Sequence, residues 1–146
     1  MAISFHPRAG QVLMCDLDGF REPEMVKVRP VVVISPKLPH RSNIVTAVPI
    51  SLSPPTHALP FVYKLSRNYH PGELDSLDCW AKCDMVMNIS LARLDGFKVG
   101  RRKWEIPSMS DTDLNGVRCG VLYGLGLGHL IPASGSAIFQ VPVIGL

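Results

Sequence analysis

Thirteen prolines and twelve glycines interrupt this chain of 146 residues. So many breakers argue for short strands joined by frequent turns rather than a helical bundle. The length suits one domain. With 47% apolar and 18% charged residues, the chain has enough to bury a real core. No apolar run reaches the length of a membrane-spanning helix. The first residues, Met1 to Arg8, lack the basic-then-apolar pattern of a secretory signal, so the cytoplasm is the expected location. The net charge of +3 permits nucleic-acid binding without demanding it.

Four cysteines are present, Cys15, Cys79, Cys83 and Cys119, and no C-x-x-C occurs. That spacing argues against a zinc site or a disulfide framework and for reduced cysteines in a core. No metal ligand set and no cofactor motif is expected.

Strands are predicted over Gln11–Leu17, Val31–Ile34, Ile44–Pro49, Phe61–Leu65 and Asp78–Met87. The run Val31–Ile34 is β-branched throughout, which predicts a strand buried on both faces. Phe20–Val28 carries both charge signs and a proline, and predicts an exposed loop. Pro54 and Pro55 exclude regular pairing around them. Residues 88–94 read as one or two helical turns. Arg93, Lys98, Arg101, Arg102 and Lys103 form a basic stretch, either a solvated loop or a patch that contacts phosphates.

Ser110-Asp111-Thr112-Asp113 reads as a helix start with acids in its first turn. Leu114, Val117, Val121, Leu122 and Leu125 then recur at helical spacing. Glycines at 116, 120 and 124 cost such a helix roughly 1 kcal/mol each relative to alanine. They also form a face that another backbone can approach closely, and a dimer contact is one use of it. Strands followed by one C-terminal helix predict a mainly β protein with α (α+β): a small, SH3-like, strongly bent β-barrel with an appended helix. The expected division is a barrel domain with its helix over 1–130 and an apolar tail over 131–146.

The chemistry-bearing stretch is Trp80-Ala81-Lys82-Cys83-Asp84-Met85. On an extended strand, Lys82 and Asp84 share a face and Cys83 points away. Such a pair is either an acid/base couple aimed at one spot or a surface ion pair.

Several segments, in this order, resemble the PemK/MazF superfamily of toxin-like endoribonucleases. They are Gly10-Gln11-Val12-Leu13, Asp16-Leu17-Asp18, Glu24-Met25-Val26-Lys27-Val28-Arg29-Pro30 with the strand after it, Val48-Pro49-Ile50-Ser51, Lys82-Cys83-Asp84 and Arg93-Leu94. The resemblance covers roughly residues 10–128. Pro-Glu-Met before Arg-Pro, with Trp-x-Lys-Cys-Asp-Met later, is similar to a YifN-like branch.

The resemblance implies a homodimer that cuts single-stranded RNA without a metal. The RNA's own 2′-hydroxyl attacks the adjacent phosphate, leaving a 2′,3′-cyclic phosphate and a 5′-hydroxyl. It also implies a small antitoxin as a protein partner.

This reaction needs a base, an acid and groups that hold the phosphorane charge. Asp84 matches the family's strand carboxylate as base. Lys82 stands where some members use an arginine as acid, exchanging a planar fork for a point charge. Arg29 either clamps a phosphate or pairs with Glu22 or Glu24. Ser51 either donates to a phosphate oxygen or caps a turn.

Glu24, Lys27, His57, Trp80 and Met85 are the further candidates for RNA contact. Phe61 and Tyr63 join Trp80 as possible stacking rings. His57 is a base or shuttle, or simply an exposed loop histidine. Met85 replaces a glutamine usual in the family, and Pro23 a histidine or small polar residue. Both departures fit a catalytically inactive binding module for RNA or a protein, the alternative to an enzyme. The apolar tail suggests a third possibility, a structural partner in a larger assembly.

Overall fold

The computed structural model describes residues 3–132. The expected tail therefore lies outside the described residues beyond Pro132. Nine strands and one helix follow the order β1 (Val12–Asp16), β2 (Val28–Val33), β3 (Ile44–Ser51), β4 (Val62–Lys64), β5 (Trp80–Lys82), β6 (Met87–Ser90), β7 (Leu94–Asp95), β8 (Phe97–Gly100), β9 (Lys103–Glu105) and α1 (Asp111–Gly124). Seven strands form one antiparallel sheet in the order β4-β5-β3-β2-β1-β7, with β6 also pairing β3. The fold class is as expected: mainly antiparallel β-sheet with one C-terminal helix.

Alternation along the central strands explains the packing. Val12, Val32, Val48 and Ile50 point to one face, where they meet Cys83, Leu65 and the helix residues Val117 and Val121. Leu13, Cys15, Val31, Val33, Val45 and Ala47 point to the other, with Leu17, Ile89 and Leu94. The run after Pro30 is thus buried on both sides, as its β-branched composition predicts. All four cysteines are free. Burial pushes the Cys15 thiol up to about 11 and the Cys83 thiol up to about 12, which makes both unreactive core groups.

The helix starts where predicted. Ser110 Oγ accepts the Asp113 N–H at 3.2 Å. It ends in a 6→1 bond from Leu127 N–H to Leu122 O (2.7 Å) and a 5→2 bond from Gly126 N–H to Tyr123 O (3.0 Å), with Gly126 at φ +77°. Asp113 is fully buried yet satisfied. It accepts from Ser66 Oγ (2.6 Å), Tyr69 Oη (2.8 Å), Tyr63 Oη (3.0 Å) and Ser66 N–H (3.1 Å). Burial raises its pKa, but these donors outweigh burial and hold the carboxyl below its ordinary value. The helix N-terminus is thereby tied to β4 and the segment after it.

Several expectations need correction. Asp78–Met87 is not one strand: β5 ends at Lys82, Cys83–Met85 is a 3-10 turn, and β6 resumes at Met87. Residues 88–94 are mostly extended, with a single 3-10 turn at Leu91–Arg93. The basic stretch is a β8–β9 hairpin with Arg101 and Arg102 exposed at its turn, rather than an irregular loop. Arg93 does not belong to it. Its guanidinium donates to Asp16 O (2.9 Å) and Asp18 O (2.8 Å) and lies over the Phe20 ring. The glycine face of α1 packs within the chain, against Tyr63 at Gly116, Cys83 at Gly120 and Asp84 at Gly124, so it is not free for a second copy.

Candidate functional site

The site follows from how β3 pairs. Along one edge, Val31, Val32 and Val33 of β2 face Pro49, Val48 and Ala47. Along the other, β3 meets β6 from Ile44 to Ala47 and β5 at Ile50 and Ser51. Three steps along β3, from Ala47 to Ile50, face six along its neighbour, from Ala81 to Met87. The turn Cys83–Met85 absorbs the excess, like a large bulge.

The interruption changes how the predicted residues are presented. Cys83 points into the core, as expected, and its Sγ lies 3.5 Å from Ala81 O. Lys82 is the last residue of β5, while Asp84 sits exposed on the turn. The two therefore do not share a strand face, and among the described residues no ion pair joins them. Asp84 is positioned instead by the helix. A Cβ at Gly124 would lie 3.1 Å from Asp84 Cα, so only glycine allows this approach without displacement.

Register places the other predicted residues on one face. Ser51 pairs with Trp80, and Trp80 with Lys64. Lys82 pairs with Val62. Continuing the β2–β3 register by two residues sets Arg29 opposite Ser51. Arg29, Ser51, Trp80, Lys82, Val62 and Lys64 thus line one face of the sheet where the apolar core gives out. Trp80, Val62 and Lys64, with Pro55 to Pro60, line an open groove of ≈ 640 Å³ that includes His57.

Individual side chains then resolve open alternatives. Arg29 makes no ion pair with Glu22 or Glu24, and its buried Nε–H has no acceptor among the described residues. Such an orphaned donor asks for a ligand or a water. Ser51 is buried and its Oγ accepts the Ser53 N–H at 3.1 Å, so it does cap a turn. Its hydroxyl proton remains free to be donated. Tyr63 is not a stacking ring: it faces away from Trp80, packs on Gly116 and donates to Asp113. Burial and that hydrogen bond push its hydroxyl up to about 12. Glu24 and Lys27 are exposed on the connection into β2, and no hydrogen bond ties them to the groove. Met85 is half-buried in the turn.

Lys64 was not foreseen. It stands in the groove, with a loose, exposed ion pair to Asp78 at 3.5 Å. Its link to Trp80 is a cross-strand register, which no local pattern announces. Among the described residues, no group of three His, Cys, Asp or Glu side chains could hold a metal ion. No described helix is long and apolar enough to cross a membrane.

A bent antiparallel sheet with a C-terminal helix, and one sheet face that carries Arg29, Lys82 and, in the groove beside Trp80, Lys64, define a scaffold suited to a polyanion. The chain belongs to the family of PemK-like, MazF-like toxins of type II toxin–antitoxin systems, whose model matches residues 8–117. Among solved structures it is similar to MazF from Deinococcus radiodurans, with 18% identity and a TM-score of 0.60 over 84% of this chain and 99% of that one. It is similar as well to a mycobacterial endoribonuclease in complex with its cognate antitoxin, with 18% identity and a TM-score of 0.58 over 84% and 97%. A MazE–MazF complex from D. radiodurans aligns with a TM-score of 0.56 and 18% identity over 85% and 99%. At such identities these likenesses show the fold. No curated protein matches the chain.

Proposed function

We propose that this protein is a metal-independent endoribonuclease of the YifN-like branch. It acts in the cytoplasm as the toxin-like component of a type II toxin–antitoxin pair. The observation that carries this reading is Arg29: a guanidinium with an unsatisfied buried donor, on the same sheet face as Ser51 and Lys82. A phosphodiester at that point supplies the missing acceptor.

In this scheme Asp84 takes the proton from the 2′-hydroxyl. The freed oxygen attacks the adjacent phosphorus, and Lys82 protonates the departing 5′-oxygen. Arg29 and the Ser51 hydroxyl hold the charge that builds on the phosphorane oxygens. Trp80 stacks a base beside the groove and His57 contacts the strand from the facing loop. Met85, Glu24 and Lys27 act on sequence choice rather than on the reaction. The relatives crystallised with an antitoxin support a small protein partner for this chain, which acts in this reading as a homodimer.

One observation favours the second reading, a binding module that does not cut. The break at Cys83 separates Asp84 from the face that carries Lys82. Incubation with a long single-stranded RNA in EDTA, followed by mass spectrometry of the fragment ends, separates the two. Cyclic-phosphate and 5′-hydroxyl ends support the enzyme. RNA that is bound with a steep salt dependence but stays intact supports the binding module.

A further inference from the structure

A second cavity lies at the opposite end of β3 from the proposed active site. It is an open pocket of ≈ 1130 Å³ bounded by Ile3 to His6, by the β2–β3 loop from Lys37 to Asn43, and by Ser90 to Ala92. That slightly exceeds the roughly 300–1,000 Å³ of ordinary ligand sites. Strand β3 is eight residues long, so the two sites are separated by about 23 Å along it.

The lining is one-sided in charge. Lys37 and Arg41 supply its charge, His6 and His40 line it beside them, and no aspartate or glutamate does. Lys37 and Arg41 are exposed and make no ion pair among the described residues. His6 carries a buried Nε2 with no hydrogen-bond partner among the described residues. Apolar surface accompanies these groups: Phe5 is 43% exposed and Leu38 46%. The loop is held in place rather than left free. Asn43 O accepts the Leu91 N–H at 3.0 Å, and His40 and Asn43 adopt left-handed backbone conformations.

Cations without partners, an exposed ring and free polar groups together suit a chain of phosphates that bears bases. The lining holds no carboxylate that would repel a phosphate, and the exposed Phe5 ring gives a base a face to stack on. We propose that this cavity is a second binding site for single-stranded RNA, with Lys37 and Arg41 on phosphates and Phe5 against a base. The choice of RNA rests on these groups and on the RNA-binding reading proposed above. The site holds RNA whether or not the first one cuts it.

The test is fluorescence anisotropy with a labelled 2′-O-methyl U12 strand, which cannot be cleaved, at several salt concentrations. The Lys37→Ala/Arg41→Ala double variant alters only exposed loop residues. It should bind about tenfold more weakly, with a salt slope smaller by about 1.4, as two lost phosphate contacts on a single strand require. Lys37→Arg/Arg41→Lys should keep both affinity and slope close to wild type. Phe5→Ala should weaken binding with the slope unchanged. Wild-type affinity and slope in the double variant would overturn the proposal. So would poly-glutamate binding more tightly than U12 at equal charge concentration and losing that affinity in the double variant, since that marks an acidic-peptide surface. Because binding is read with an uncleavable strand, failure of the ribonuclease reading leaves these outcomes interpretable.

Discussion

The two edges of β3 are built differently. Toward β2 the ladder is continuous, and Val31, Val32 and Val33 alternate between two cores. Toward β5 and β6 it is broken by a 3-10 turn that carries Asp84. The regular edge supplies stability and, through Arg29 at its start, a single polar group to the site. The broken edge exposes a carboxylate and the end of a cationic strand. Its shape is held from outside, by the glycine face of α1. The contrast separates a scaffold fixed by alternation from a site fixed by helix packing.

The strongest way to separate them is to damage the scaffold alone. Leu13 is fully buried in the core on one sheet face. Leu13→Ala should lower the unfolding free energy by about 2–5 kcal/mol in urea denaturation, through lost burial and a residual cavity. At a temperature where the variant is still folded, RNA affinity should match wild type.

The Asp113 clamp is next in size, because it ties α1 to β4. Asp113→Ala leaves the hydroxyls of Tyr63, Tyr69 and Ser66 without their acceptor, and should cost about 2–4 kcal/mol by the same denaturation. Its pH dependence is signed. The folded carboxyl titrates below the ordinary value of 3.8, so its stabilisation is fully present above that value. It is lost as pH falls from there through the lower folded value. Wild type should therefore show an acid-limb loss of stability that Asp113→Asn lacks. Equal acid limbs would show that the clamp is not the cause.

A subtler probe is the glycine contact itself. A Cβ at Gly120 would lie 2.6 Å from Cys83 Sγ. Gly120→Val should cost about 1–3 kcal/mol by overpacking and should also move the turn. At Gly124 the neighbour is Asp84 Cα at 3.1 Å, so Gly124→Ala shifts the carboxylate by a few tenths of an ångström. Its stability should change by under about 1 kcal/mol, since alanine also favours the helix. RNA cleavage should fall in kcat while KM holds. A fall in stability with unchanged kcat would place the glycines in the scaffold instead.

Where alternation or capping governs, the sequence was legible. The β-branched run after Pro30 predicted burial on two faces, and Ser110 with its following acids predicted the helix start. The outward order Lys82–Cys83–Asp84 was half legible. Cys83 does point inward, but nothing local signals that the strand stops at Lys82. The stop follows from a register mismatch with β3, a tertiary property. Lys64 escaped notice for a similar reason, because it reaches the groove only through pairing with Trp80. Tyr63 looked like a stacking ring until Asp113, fifty residues away, claimed its hydroxyl.

The central claim is that the broken edge carries the chemistry and that Asp84 is its base. The most direct test is the single-turnover cleavage rate of a single-stranded RNA by Asp84→Asn beside wild type, in EDTA, with both proteins shown to unfold at the same urea concentration. Loss of a general base should slow cleavage by roughly 100-fold or more. An unchanged rate in a folded Asp84→Asn protein would contradict the account and move the base elsewhere on the groove.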